Sequence, residues 1–185
     1  EMLESIGAQV VYGVVGLKTH AKMLLVTRRE GKQLRRYGHL STGNYNPRTA
    51  RLYTDISYFT ADATLTADMD HVFLHIAGQS KLPRLRSLLL APFHLHRKMI
   101  AKISAVGKAA AQGTPGRIVA KMNALTDEAL VRALVLAGQR GAAVLAPPPR
   151  TALGTLRAAP ALAGRLRSRP ERVRAVGLAP RLRRR

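Results

Sequence analysis

GLKTHAKM at residues 16–23, followed by STGNYN at residues 41–46, decides how the rest of the chain is read. The first motif lies in an apolar, strand-like stretch, so His20 and Lys22, one residue apart, project from the same face of a sheet. One can attack phosphorus while the other neutralises oxygen. The Gly-Asn turn downstream brings Ser41, Thr42 and Asn44 as hydrogen-bond donors in a small-residue loop able to approach a phosphoryl group closely. Together they suggest phosphoryl transfer through histidine. An isolated His-x-Lys, by contrast, is common and reads as a strand-edge pair of solvated side chains.

Outward from these motifs, Gln9–Val15 reads as a buried strand, Lys22–Arg29 as a second, residues 29–33 as a hairpin turn, and Leu34–Leu40 as a third strand leading into the Ser41–Arg48 loop. This arrangement brings His20 and His39 towards one another on neighbouring antiparallel strands beside Asn44. Residues 56–62 continue as strand or turn. Leu65–Ala77 has helical spacing, with Met69, Val72, Phe73 and Ile76 on one face. Leu88–Ala91 is a short buried strand and Phe93–Ala111 a long basic amphipathic helix ended by Gly113, Pro115 and Gly116. Residues 117–123 read as strand and Thr126–Gly138 as helix, with Thr126 as N-cap and Asp127 and Glu128 in the favourable first turn. Strand, helix, strand, helix predicts an α/β layer beginning near Leu88.

The 185 residues suffice for one ordinary domain, although the pattern starts as if already inside one, so the chain reads as a fragment. No secretory signal and no membrane-length apolar run is present, and a cytoplasmic protein is expected, with peripheral membrane association left open. There is no cysteine, which excludes disulfides and Cys-ligated zinc. The net charge of +21 points to a polyanionic partner, yet it is unevenly placed. From Pro147 to Arg185 there are eleven Arg, no Lys and one acid, Glu171, a net +10 that leaves +11 for residues 1–146. That terminal stretch is built almost wholly from Ala, Arg, Leu, Pro and Gly, and disorder is expected there. It reads either as a basic arm or as out-of-frame translation of a high-GC gene. The abrupt loss of pattern favours frameshift or truncation.

The stretch GLKTHAKMLLVTRREGKQLRRYGHLSTGNYNPRTARLYTDISYFTAD (16–62) closely resembles the polyphosphate kinases of the phospholipase-D-like, histidine-phosphorylated type, and the likeness resumes at IVAKMNALTDEAL (118–130). The resemblance implies an α/β fold, a phospholipase-D-like mixed sheet with flanking helices, incomplete here. It implies that residues 1–80 end a first catalytic domain, that 81–146 start a second, and that 147–185 are a disordered or out-of-frame tail. It also implies reversible transfer of the terminal phosphate of ATP to inorganic polyphosphate, with ATP or ADP and polyphosphate as partners, Mg2+ arriving with ATP, and a homo-oligomer at full length. In that family the histidine of the THAK motif is phosphorylated and the tyrosine of RLYTD contacts the nucleotide, which implies these roles for His20 and Tyr53. The family's magnesium-linked arginines precede the THAK motif, and its later nucleotide arginine and second His motif have no counterpart here, so a half-site with little activity of its own is expected.

Imidazole with a pKa near 6.5 is largely neutral, hence nucleophilic, at neutral pH, and a phosphohistidine separates donor and acceptor into two steps. Lys22, Thr42, Asn44 and Arg51 can neutralise or bind phosphate. His39 reads equally as an acid-base partner or as a turn-capping residue. Tyr53 reads as an adenine-stacking ring or, otherwise, a half-buried strand aromatic. No metal ligands are assigned: His94 and His96 do not share a helical face, and His71 and His75, four apart, lack a third ligand. The alternatives are a phospholipase-D-like phosphodiesterase or phosphatidyltransferase and a basic RNA-binding protein. The first shares His-x-Lys but carries an aspartate five residues after the lysine, where Thr27 stands. The second needs aromatic platforms, and only 4% of residues are aromatic. Nucleic acid is expected to bind only nonspecifically, through the tail.

Overall fold

The computed structural model describes residues 2–146 and the backbone of residues 174–180. Two compact units divide between Leu95 and His96, and the strand at 174–180 belongs with the first.

The first unit is organised by a hairpin. Strands β1 (Leu17–Thr19) and β2 (Lys22–Glu30) are separated by a break at His20 and Ala21, and β2 turns back through Gly31 and Lys32 into β3 (Gln33–Ser41). Glu30 pairs with Gln33 across a two-residue turn whose first position, Gly31, has φ 60, a conformation that favours glycine. Helix α1 (Pro47–Leu52) follows the loop, and β4 (Ser57–Thr60) pairs antiparallel with β3, giving the sheet order β2-β3-β4. Strand alternation divides this sheet into two unlike faces. Met23, Leu25 and Leu40 pack inward, while Leu24 and Val26 are exposed.

Helix α2 (Ala63–Ile76) covers the inward face. Asp62 caps it by accepting from the Leu65 N–H at 2.8 Å. Leu65, Met69 and Val72 are fully buried, each contributing about 1.5–3 kcal/mol of apolar burial. Gly38 admits the helix: a Cβ there would stand 2.6 Å from Met69 Sδ. The buried carboxylate of Asp68 accepts from the backbone N–H groups of Arg86, Ser87 and Leu88, fixing the entry to β5 (Leu88–Ala91). Without Asp68 these donors would lose their acceptor, at about 1–3 kcal/mol for each one left buried and unsatisfied.

The second unit holds α3 (Leu95–Ala111), β6 (Arg117–Val119), α4 (Glu128–Gln139) and β7 (Ala143–Leu145). Strands β6 and β7 pair in parallel, an arrangement that requires a crossover, and α4 supplies it. Ile103, Leu125, Val131, Leu134, Ala137 and Ala142 form its core.

Several expectations change. Gln9–Val15 is not a strand: Gly13 adopts φ 91, which interrupts extended pairing, and Tyr12 and Val15 are exposed. Phe73 lies off the buried face of α2, at 39% exposure. Helix α3 starts at Leu95, since Phe93 packs edge-on against His75 instead, and β6 ends at Val119. Asp127 rather than Thr126 caps α4, because its carboxylate reaches the Leu130 N–H at 2.8 Å. The layer expected from Leu88 is divided, because β5 joins a sheet of order β1-β8-β5 in the first unit. Here β8 (Arg174–Pro180) runs antiparallel to β1 and parallel to β5. The expectation of a disordered or out-of-frame tail otherwise lies outside the described residues, but at Arg174–Pro180 two strand edges provide ladder partners for a regular strand.

Candidate functional site

The break between β1 and β2 places His20 beside the first residue of β2. Lys22 Nζ donates to the His20 carbonyl oxygen at 2.7 Å and approaches the imidazole to 2.8 Å at Nδ1 and 3.4 Å at Nε2. The two side chains therefore meet, although His20 itself stands outside the ladder. The pKa of His20 is lowered from 6.5, first by loss of hydration, then by the ammonium groups of Lys22 and Lys18, with a hydrogen bond to its own backbone opposing. Lys22 is lowered from 10.5 by desolvation and Lys18, against the attraction of Asp55. A neutral imidazole beside two cations is a lone-pair donor in a field suited to anions.

Across the ladder, Lys22 pairs with Ser41 and Leu24 with His39, so Lys22, Ser41 and His39 occupy the outward face. Ser41 Oγ accepts from the Gly43 N–H at 3.0 Å and from Ser57 Oγ at 3.3 Å. Thr42 Oγ1 donates to Asp55 Oδ1 at 2.9 Å and accepts from the Ile56 N–H at 3.0 Å. Gly43 is required at this turn, since a Cβ would collide with the Asp55 carboxylate. The loop then becomes helix: Asn46 Oδ1 accepts from Arg48 and Thr49 N–H groups at 3.0 and 3.2 Å, and Pro47 opens α1.

His39 is held on both sides. Its ring stacks on Phe59 at 4.4 Å and 29°, and Nδ1 lies 2.8 Å from the Tyr45 hydroxyl. No ring contact joins His39 to His20 among the described residues. Asn44 is exposed in the loop, Arg51 is exposed in the last turn of α1, and Tyr53, 55% exposed, caps the C-terminus of α1. Among the described residues no hydrogen bond or ring contact joins these three side chains to the His20–Lys22 pair. Thus the structure joins His20 to Lys22, gives His39 two aromatic neighbours, and engages Thr42 with Asp55.

Lys18, Tyr45, Asp55 and Phe59 had no assigned role in the sequence reading. Lys18 was legible, since it continues the two-residue spacing of His20 and Lys22 backwards. Tyr45 and Asp55 stand inside the quoted motifs, but their contacts depend on the fold of the loop. Among the described residues no group of three or more His, Asp or Glu side chains is arranged to hold a metal. No helix there is long and apolar enough to cross a membrane.

The mixed α/β architecture with the His20–Lys22 pair beside its sheet agrees with the phospholipase-D-like fold that the resemblance implies, and a solved structure described below shares it. The family described as Polyphosphate kinase C-terminal domain 1 matches residues 1–82, and that described as Polyphosphate kinase C-terminal domain 2 matches residues 88–145. The polyphosphate kinase of Xylella fastidiosa is 52% identical over 141 residues, 76% of this chain and 20% of that protein. The polyphosphate kinase of Pseudomonas aeruginosa is 50% identical over 139 residues, 75% of this chain and 20% of its own length. The crystal structure of polyphosphate kinase from Porphyromonas gingivalis superposes with a TM-score of 0.67 at 29% identity, covering 77% of this chain and 24% of that one. The chain belongs to the polyphosphate kinase family. It spans about a fifth of the length of these curated relatives.

Proposed function

We propose that this chain carries the phosphohistidine part of an enzyme that moves the terminal phosphate of ATP reversibly onto inorganic polyphosphate. The observation that carries the reading is the Lys22 ammonium 2.8 Å from the neutral His20 ring, inside the segment matched to the kinase family. A nitrogen lone pair of His20 attacks the terminal phosphorus, forming an N–P bond while the bond to the bridging oxygen breaks and ADP leaves. An oxygen at the end of a polyphosphate chain then attacks the same phosphorus. The N–P bond breaks, the pair returns to nitrogen, and the chain is one unit longer. Phosphoryl transfer of this kind depends chiefly on alignment and charge neutralisation.

Lys22 is the phosphate ligand nearest the reacting nitrogen, and the reading gives Thr42, Asn44 and Arg51 substrate-phosphate contacts, His39 an acid-base or orienting part, and Tyr53 the adenine. Thr42 acts from its bond to Asp55, so its part is to hold the loop as well as to contact phosphate. Magnesium would supply charge neutralisation on the nucleotide's phosphates. The described carboxylates do not form a cage for it, so it is assigned to none of the described residues. Residues 1–80 close one catalytic domain in this reading and 81–146 open another, with homo-oligomerisation a property of the full-length protein.

The test is transfer of label from ATP carrying a labelled terminal phosphate, in a full-length polyphosphate kinase whose matching segment is replaced by residues 7–145 of this chain. An acid-labile, base-stable label mapping to the peptide of His20 is expected. A label on another peptide would end the assignment. The 185-residue chain alone, a fifth of its relatives' length, is expected to turn over far more slowly than that hybrid.

A further inference from the structure

We propose that Tyr45 is a positioning residue for His39, donating its phenolic proton to Nδ1 and so fixing the tautomer that carries hydrogen on Nε2. The inference rests on the reading that phosphate is handled on this face of the β2-β3-β4 sheet. A neutral imidazole has two tautomers, and the hydrogen bond at one nitrogen decides which is present. Imidazole nitrogen is a strong acceptor, whereas a phenol is a better donor than acceptor because its oxygen lone pair is shared with the ring. The 2.8 Å contact is therefore best satisfied as O–H of Tyr45 to Nδ1 of His39. Tyr45 is 58% exposed, but partial loss of hydration raises its pKa from 10.0, so the hydroxyl keeps its proton across the neutral range.

Stacking on Phe59, at 4.4 Å and 29°, sets the plane of the same ring. Plane and tautomer are thus fixed by two different residues from two different elements, the loop before α1 and strand β4. Nε2 has no hydrogen-bond partner among the described residues, so its N–H is available to a phosphoryl oxygen. Lys22 and Ser41 share the face on which His39 stands. The ring then acts as a preorganised neutral donor whose orientation requires no adjustment when the polyanion arrives. Outer partners of functional histidines commonly matter at the level of about tenfold to a hundredfold in activity.

Nitrogen NMR of the 185-residue chain reads the tautomer directly, and turnover in the full-length hybrid reads its consequence. His39 is expected as the Nε2–H form in the unsubstituted chain and as a mixture in Tyr45→Phe, which keeps the ring and removes only the hydroxyl. In the hybrid, Tyr45→Phe should lower kcat by about tenfold to a hundredfold with KM nearly unchanged, and adding it to His39→Ala should cause little further loss. An Nδ1–H tautomer in the unsubstituted chain would overturn the inference. So would a Tyr45→Phe loss that multiplies the His39→Ala loss. Full turnover in His39→Ala would instead remove His39 from the reaction, whereas loss of label from His20 would strike the phosphohistidine reading and leave the tautomer result standing.

Discussion

His20 in the first unit and His96 in the second both lie within hydrogen-bond reach of a charged side chain, and the sign of that charge separates their roles. Beside His20 stands the Lys22 ammonium, which disfavours a second positive charge and adds to the loss of hydration that chiefly lowers the ring's pKa. Beside His96 stands the Asp127 carboxylate, 3.0 Å from Nε2, which also accepts from the Leu130 N–H at the start of α4. The first arrangement leaves a neutral ring in a field that attracts anions. The second ties the first turn of α3 to the carboxylate that caps α4. Histidine therefore identifies neither a site nor a structural bond until its neighbour is known.

The largest effect expected from this contrast is the loss of phosphoryl label. In the full-length hybrid, His20→Ala should abolish the acid-labile label, whereas His96→Ala should leave it in place. Label surviving His20→Ala would break the comparison at its first term.

Next in size is Lys22→Met, which should slow transfer roughly tenfold to a thousandfold, as removal of one electrostatic donor does. The sign of its pH effect is a separate check. Attack requires the neutral ring, and the lowered pKa of His20 keeps that form populated below pH 6.5. The acid limb of the rate profile therefore lies below that value. Removing the Lys22 charge should move it upward, towards 6.5, while burial and Lys18 continue to hold it down. An unmoved limb would show that Lys22 does not set the state of His20.

Much of this was legible because periodicity carried it. The β2–β3 hairpin, the apolar face of α2 and the β5 run follow from alternation, helical spacing and a Gly-containing turn. Helix α1 was missed, although Asn46 and Pro47 are an N-cap and first-position pair, because the surrounding Gly and Asn residues read as continuous loop. Gln9–Val15 failed for the opposite reason: its β-favouring composition was overruled by Gly13. At the site, strand spacing brought His20 and Lys22 together in the sequence, but the contact itself comes from the break between β1 and β2, where Lys22 Nζ reaches the His20 carbonyl and ring. The Tyr45–His39 and Thr42–Asp55 bonds had no such signal, since both join a loop to residues whose proximity is created by folding.

Packing provides a smaller contrast between the units. A Cβ at Gly107 would lie 2.9 Å from the Cα of Ala137, so Gly107→Ala must displace backbone where α3 meets α4. A destabilisation of about 1–3 kcal/mol is expected, with the melting transition of the 185-residue chain as the measure. The Cβ of Gly38→Ala would meet the end of the Met69 side chain, which can change rotamer, so its loss should be the lesser of the two. The reverse order would mean that the buried Met69 is less adaptable than the helix pair.

Asp127→Ala addresses the second term of the comparison and should have the smallest effect, about 1 kcal/mol from loss of an N-cap. The pKa of Asp127 is lowered from 3.8, first by the backbone hydrogen bond from Leu130 and further by His96, with burial opposing. A carboxylate depressed by folding contributes stability that is fully present above its ordinary value and is lost as pH falls through the depressed one. The gap in stability between the unsubstituted chain and Asp127→Ala should accordingly hold at neutral pH and close below pH 3.8, as the carboxylate takes a proton. Asp127→Asn keeps an acceptor for the Leu130 N–H but removes the charge, so it should retain most of the cap while losing that pH dependence. If Asp127→Asn is as unstable as Asp127→Ala, the carboxylate's contact with His96 rather than the cap carries the contribution, and the contrast between the two histidines narrows to one of strength alone.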